Sequence, residues 1–194
     1  GVCALAYWLA GMSIFDAIGH SFSTVAIGGF STHDASMGYF NSPLILMICS
    51  AFMLFAGMSF TIHFHAWRGR SLKQYFQDSE TKFYLSVIGI AIITISIYLF
   101  ISGTYSLSDS IVHGIFHTVS VATTAGFGAE DFSIWPSFLP VAVIMLSFMG
   151  GCAGSTGGGM KAVRVMLVAK QGIREMNQLI HPSANTAKNR YSPR

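Results

Sequence analysis

Apolar residues run through this chain in long stretches, separated by short clusters of small and polar ones. No Asp, Glu, Lys or Arg stands in residues 35–67, 83–108 or 132–160. A helix crossing the hydrocarbon core of a bilayer needs about 20 mostly apolar residues, and each window is long enough to hold one. Two shorter amphipathic stretches, Ser13 to about Val25 and Ser108 to about Ala122, alternate with them. At about 1.5 Å per residue each reaches roughly 20 Å, short of a core about 30 Å thick. The pattern predicts a helix stub at 1–10, a short helix at about 13–25, a loop at 26–32 and a long helix at about 43–67. A charged loop at 68–82 follows. Then come a long helix at 83–102, a short one at about 108–122, a loop at 123–128, a long helix at about 136–180 interrupted at 150–159, and a tail at 183–194. The expected fold class is an all-α membrane protein.

The two halves of that pattern are copies. At an offset of 97 residues, Ser13, Ile14, Ile18, His20, Ser23, Gly29, Phe30 and Asp34 fall on Ser110, Ile111, Ile115, His117, Ser120, Gly126, Phe127 and Asp131. Pro43 then meets Pro140, Ser50 meets Ser147, and Ala56 and Gly57 meet Ala153 and Gly154. Each copy reads as outer helix, half-membrane helix, loop and inner helix, with a proline in the inner helix's first turn, where it is tolerated. Irregular backbone at membrane depth persists only where it lines water or lies inside protein. A half-membrane helix followed by small residues therefore reads as a pore element.

Composition agrees with a membrane setting and adds a direction. Hydrophobic residues make up 52% of the chain and charged ones 10%, against about 25% charge in soluble domains; mean hydropathy is +0.56. All 11 Lys and Arg residues fall in the 68–82 loop or from Lys161 onward. The positive-inside rule makes those two regions cytoplasmic and turns the loops at 28–42, 103–110 and 126–137 outward. The net charge of +3 reflects topology and gives no reason to expect nucleic acid. The chain opens inside an apolar run without a signal peptide and reads as a fragment. Cys3, Cys49 and Cys152 are odd in number and widely spaced, which suits neither a disulfide framework nor zinc.

The loops carry the chemistry. Each half-membrane helix points its negative C-terminal end toward the membrane centre, which favours a cation. "TAGFG" at 124–128 matches the potassium-channel filter TVGYG in its two glycines and central aromatic. Gly126 has no Cβ to forbid an inward-turned carbonyl, and Phe127 is expected to pack outward and hold the loop. "IGGFS" at 27–31 keeps Gly29 and Phe30 and has Ser31 in place of the second glycine.

These residues resemble the TrkH/KtrB/HKT superfamily of potassium transporters, and within it the bacterial TrkH proteins. The likeness lies in "HSFSTVAIGGFSTHD" (20–34), "HTVSVATTAGFG" (117–128) and above all "GGCAGSTGGGMKAVR" (150–164). The resemblance implies four such units in one chain, of which this sequence holds the second, without most of its outer helix, and the third. It implies a filter at Ile27, Gly28, Gly29 and Phe30 and at Thr124, Ala125, Gly126, Phe127 and Gly128. The potassium ligands would be on Ile27, Gly28, Thr124 and Ala125, and potassium would be cargo, with no cofactor bound by this chain. It implies a mobile intramembrane gate at Gly150, Gly151, Gly154, Gly157, Gly158 and Gly159, followed by Lys161 and Arg164 on one helical face. It further implies a multi-pass bacterial inner-membrane location, potassium uptake or symport, a homodimer, and a cytosolic nucleotide-binding regulatory subunit like TrkA. "FAGMSF" at 55–60 keeps one glycine where the third unit has six within 150–159, so the second inner helix is expected to run unbroken. Alanines at 157–159 are expected to favour helix by about 1 kcal/mol each.

The same residues allow other readings. The Gly-rich stretch has Met160 where a phosphate-binding loop needs lysine, and an apolar helix where that motif needs a strand. Small residues also serve plain helix packing. His113 and His117 read as packing residues or partners of nearby backbone, Asp16 and Asp109 as caps of the short helices. No catalytic set stands out, so an enzyme is not expected. A non-conducting scaffold and a histidine-dependent cation carrier are the competing functions. Scaffolding gives no reason for a repeated Gly-Phe loop, and the long helices lack the ionisable residues of a carrier.

Overall fold

The computed structural model describes residues 1–70 and 73–180. The predicted tail at 183–194, and residues 71–72 of the charged loop, lie outside the described residues. Among the described residues every regular element is helical: α1 Val2–Leu9, α2 Ile14–Val25, α3 Pro43–Ala56, α4 Phe60–Gly69, α5 Lys73–Gln77, α6 Ser79–Ile101, α7 Leu107–Ala122, α8 Leu139–Ser147 and α9 Ala162–Ile180, with two short 3-10 helices at Ser36–Phe40 and Phe132–Ile134.

The chain starts each helix where local chemistry allows. Ser13 and Ser106 cap α2 and α7, their hydroxyls accepting from the amides of Asp16 and Asp109. Each carboxylate accepts the serine hydroxyl in return, at 2.7 and 2.8 Å, so both short helices open with a reciprocal cap and an acid in the positive first turn. Pro43 sits in the first turn of α3, where its missing N–H costs nothing. Asp78 caps α6 by accepting from Thr81 N at 2.6 Å.

Among the described residues α6 passes by itself as a membrane span by length and composition, and α3 with α4 passes as a bent pair. Helix α6 has 23 residues, about 35 Å at 1.5 Å each. It packs along α7, and α7 packs on α3 and α8, while α1 packs on α2 and α2 on α3. Gly114 lets α7 approach α6 closely, since a Cβ there would meet Ser96 Oγ at 2.2 Å. The shared core lies between the two copies and gathers Tyr7, Met37, Met53, Tyr84, Ile88, Phe116 and Val119.

The second inner helix is not continuous. It ends at Ala56, restarts at Phe60, and the two pieces meet at 91°. One glycine is enough because tertiary contacts claim the site: Gly57 O accepts from Cys152 N at 2.8 Å, and Phe60 N donates to Gly154 O at 3.1 Å. Between α8 and α9 the interruption covers residues 148–161, wider than 150–159, because Phe148 O accepts from Met160 N and the Lys161 ammonium turns back onto Gly157 O.

Candidate functional site: two loops above a broken helix

The loops after α2 and α7 leave their helices in the same way. Ala26, Ile27 and Gly28 donate their amides to Phe22 O, Thr24 O and Ser23 O at 2.9, 3.1 and 2.8 Å. Thr123, Thr124 and Ala125 donate to Val119 O, Val121 O and Ser120 O at 2.9, 3.0 and 2.9 Å. Left-handed residues recur at the same places, with φ of 53° and 69° at Ile27 and Gly29 and 68° and 83° at Thr124 and Gly126. Two β-branched residues at positive φ are costly, and such strain persists only where the surroundings over-determine it.

That geometry spends the loop amides on the helix ends. The carbonyls of Ile27, Gly28, Thr124 and Ala125 accept no hydrogen bond among the described residues. Ile27 and Ala125 are buried residues, and a carbonyl shut off from water without a partner would cost about 1–3 kcal/mol. A cation beside these oxygens would satisfy them. The two loops also meet: a Cβ on Gly29 would lie 1.9 Å from Ala125 O. Further along, Gly38 N donates to Gly128 O, and Gly128 N to Ser36 Oγ, both at 3.2 Å. The aromatic partners differ. Phe127 is buried 6.5 Å from the His20 ring, while Phe30 is 80% exposed.

Beneath the loops lies the 148–161 segment, held by named bonds. The Thr156 hydroxyl lies within hydrogen-bond distance of two carbonyls, Val25 O at 3.0 Å and Ala56 O at 3.3 Å. Gly158 N donates to Thr124 Oγ1 at 2.7 Å. Gly150 and Gly159, both at positive φ, press the segment's two ends together. A Cβ on Gly150 would lie 2.1 Å from Gly158 O, and one on Gly159 would lie 2.8 Å from Gly150 Cα. These glycines permit close packing, so alanines here would force the strands apart; the expectation of a simple gain in helix is corrected. Lys161 is also placed differently from the expected helical face. It precedes α9 at φ 72°, and its ammonium folds back onto Gly157 O.

The histidines divide. His20 pairs with Asp16 O and Ser31 Oγ, both at 2.8 Å. His117 has no hydrogen-bond partner for either nitrogen among the described residues; it packs edge-on to Trp135 with centroids 5.2 Å apart, so its role is packing and not a backbone bond. On the loop face, Asp131 is held below the usual carboxylate range by its bond to Ser133. The Tyr105 phenol is pushed up by burial and then by its bond to Glu130.

Two residues were invisible to pattern reading, Thr156 and Glu80, and Gly57 was readable as a repeat position but not as the acceptor of Cys152 N. Glu80 Oε1, in the first turn of α6, accepts from Ala153 N at 2.7 Å and Val163 N at 3.1 Å. The available sequence signal was an acid standing among basic residues at the edge of an apolar window.

The chain is similar to known proteins over most of its length. The family described as TrkH, cation transport protein, matches residues 1–191. The Trk system potassium uptake protein TrkH of Halomonas elongata is 56% identical over 182 residues, covering 94% of this chain and 38% of the relative. The TrkH of Escherichia coli K12 is 50% identical over 183 residues with the same coverage. The crystal structure of the potassium transporter TrkH from Vibrio parahaemolyticus superposes with a TM-score of 0.91 at 48% identity, covering 94% of this chain and 40% of that one. The chain thus spans about two-fifths of the length of these relatives. With the matched residues including both loops and the Gly-rich segment, the chain belongs to the TrkH family of cation transport proteins.

Proposed function

We propose that this chain forms two adjacent units of a potassium-translocating membrane protein of the Trk type. The observation that carries this reading is the pair of touching loops whose carbonyls at Ile27, Gly28, Thr124 and Ala125 have no protein partner among the described residues. Oxygen dipoles fixed by the backbone suit a dehydrated monovalent cation, because they replace its hydration shell at little reorganisation cost. The relatives' printed activity, potassium uptake, supplies the ion. In this reading residues 27–30 and 124–128 are filter strands, and 148–161 is the gate beneath them. Lys161 holds the gate by its bond to Gly157 O, and Arg164 follows on α9.

The whole protein would sit in the bacterial inner membrane, pair with a second copy and dock a cytosolic nucleotide-binding regulator. The basic residues Arg68 to Lys73 and Lys170 to Arg174 flank the cytoplasmic side and would meet that regulator. The test is potassium uptake by the full-length protein in a strain lacking other uptake systems. Gly126→Ser should lower the potassium-over-sodium preference; unchanged selectivity would remove Gly126 from the filter. Charge reversal at Lys170 and Arg174 should reduce co-purification of the regulator. Undiminished assembly would place the contact elsewhere in the full-length protein.

A further inference from the structure

We infer that Glu80 is the latch of the 148–161 segment, a positioning residue on a neighbouring helix whose carboxylate holds the segment closed. Its Oε1 accepts from Ala153 N, inside the Gly-rich stretch, and from Val163 N, in the first turn of α9. One oxygen therefore ties the loop to the helix that follows it. Neither amide has another acceptor among the described residues. The first amides of a helix have no partner within it, and their partial positive charge favours a carboxylate. Bonds from amides to an ionised acceptor are also stronger than neutral ones.

The neighbouring acid makes the assignment specific. Asp78 caps its own helix through Thr81 N at 2.6 Å and, among the described residues, has no bond to the segment. Glu80, two residues on, reaches off the helix. Its effect is on how often the segment opens, because the segment's remaining ties are bonds to neutral oxygens of the loops and the α3–α4 break, together with the Lys161 ammonium on Gly157 O.

A native reporter stands next to the latched amide. Cys152 is fully buried, and its own amide donates to Gly57 O at 2.8 Å. Its thiol is reached by reagent only when the segment leaves, so its modification rate follows the opening equilibrium. The experiment labels the full-length protein in membranes with a membrane-permeant maleimide and reads the peptide containing Cys152 by mass spectrometry. Glu80→Ala removes both charge-assisted hydrogen bonds and should raise the rate by more than about tenfold. Glu80→Gln keeps an oxygen that can accept both amides and should rise much less, while Asp78→Asn should label as the parent does. A parental rate in Glu80→Ala, or an equal rise in Asp78→Asn, overturns the latch.

The transport consequence rests on the gate reading above, and is measured separately. Glu80→Ala should raise maximal potassium uptake without regulator and leave the potassium-over-sodium preference unchanged. Faster labelling with unchanged flux would keep the latch and remove the gate. Altered selectivity would mean that Glu80 acts on the loops and not on the segment, and would overturn the assignment.

Discussion

The two copies turn alike after their short helices and part company in their inner helices. Above, three amide bonds and two left-handed positions after α2 recur after α7, where Gly126 N adds a bond to Ser120 O at 3.2 Å. Below, α3 and α4 are separated by residues 57–59, whereas α8 and α9 are separated by residues 148–161. The short break exists to receive the long one, since Gly57 O and Phe60 N are bonded to Cys152 and Gly154. Both copies have therefore kept the same backbone turns after their short helices, although Phe127 is buried and Phe30 exposed. The larger difference lies beneath, where the short break of one copy is the seat for the long break of the other.

The sharpest way to break that comparison is to put a methyl group where the loops meet. Gly29→Ala places a Cβ 1.9 Å from a backbone oxygen at φ 69°. Gly126→Ala meets nothing within 4 Å in this chain and carries only the left-handed penalty of about 1–2 kcal/mol. Uptake by the full-length protein should fall more than about tenfold in the first and markedly less in the second. Equal losses would mean that the loops are not juxtaposed as described.

The seat comes next. A Cβ on Gly57 would lie 2.2 Å from Tyr84 Oη, so Gly57→Ala should cost about 1–3 kcal/mol through overpacking. Adding Tyr84→Phe should restore part of it, as the phenol bonds Leu54 O only at 3.4 Å. Thermal unfolding of the purified protein reads both; no rescue by the second change would place the strain elsewhere.

The smallest contrast separates Thr124 from its counterpart Ile27. Thr124→Val removes the acceptor for Gly158 N and should loosen the segment by about 1 kcal/mol, seen as faster Cys152 labelling. Ile27→Val touches no such bond and should label as the parent does. A rise in both would mean that packing at this position, and not the threonine hydroxyl, holds the segment.

Much of the architecture was legible along the chain. Charge-free windows located α3, α6 and α8, and the offset of 97 residues paired the loops. Asp16 and Asp109 were readable as caps at the starts of α2 and α7, because a capping bond is local, whereas the role of Ser13 and Ser106 as their partners was not. The glycines at 150–159 marked an interruption, because six poor helix formers in ten residues leave little helix to gain. Legibility failed where a residue's partner lies far away. Nothing near "FAGMSF" announces that Cys152 and Gly154 will take its backbone groups. The i,i+3 spacing of Lys161 and Arg164 gave no sign that the lysine folds back on Gly157.

The sequence by itself thus determined the solvent, the helices and the duplicated loop, since apolar length, period and small-residue turns act within about 20 residues. Only the tertiary structure decided which carbonyls stay unpaired, which glycines are needed for contact and which acid reaches off its helix. Glu80 and Ala153 stand 73 positions apart, and a bond over that distance depends on how α6 packs beside α9. Local propensity carries no information about that packing.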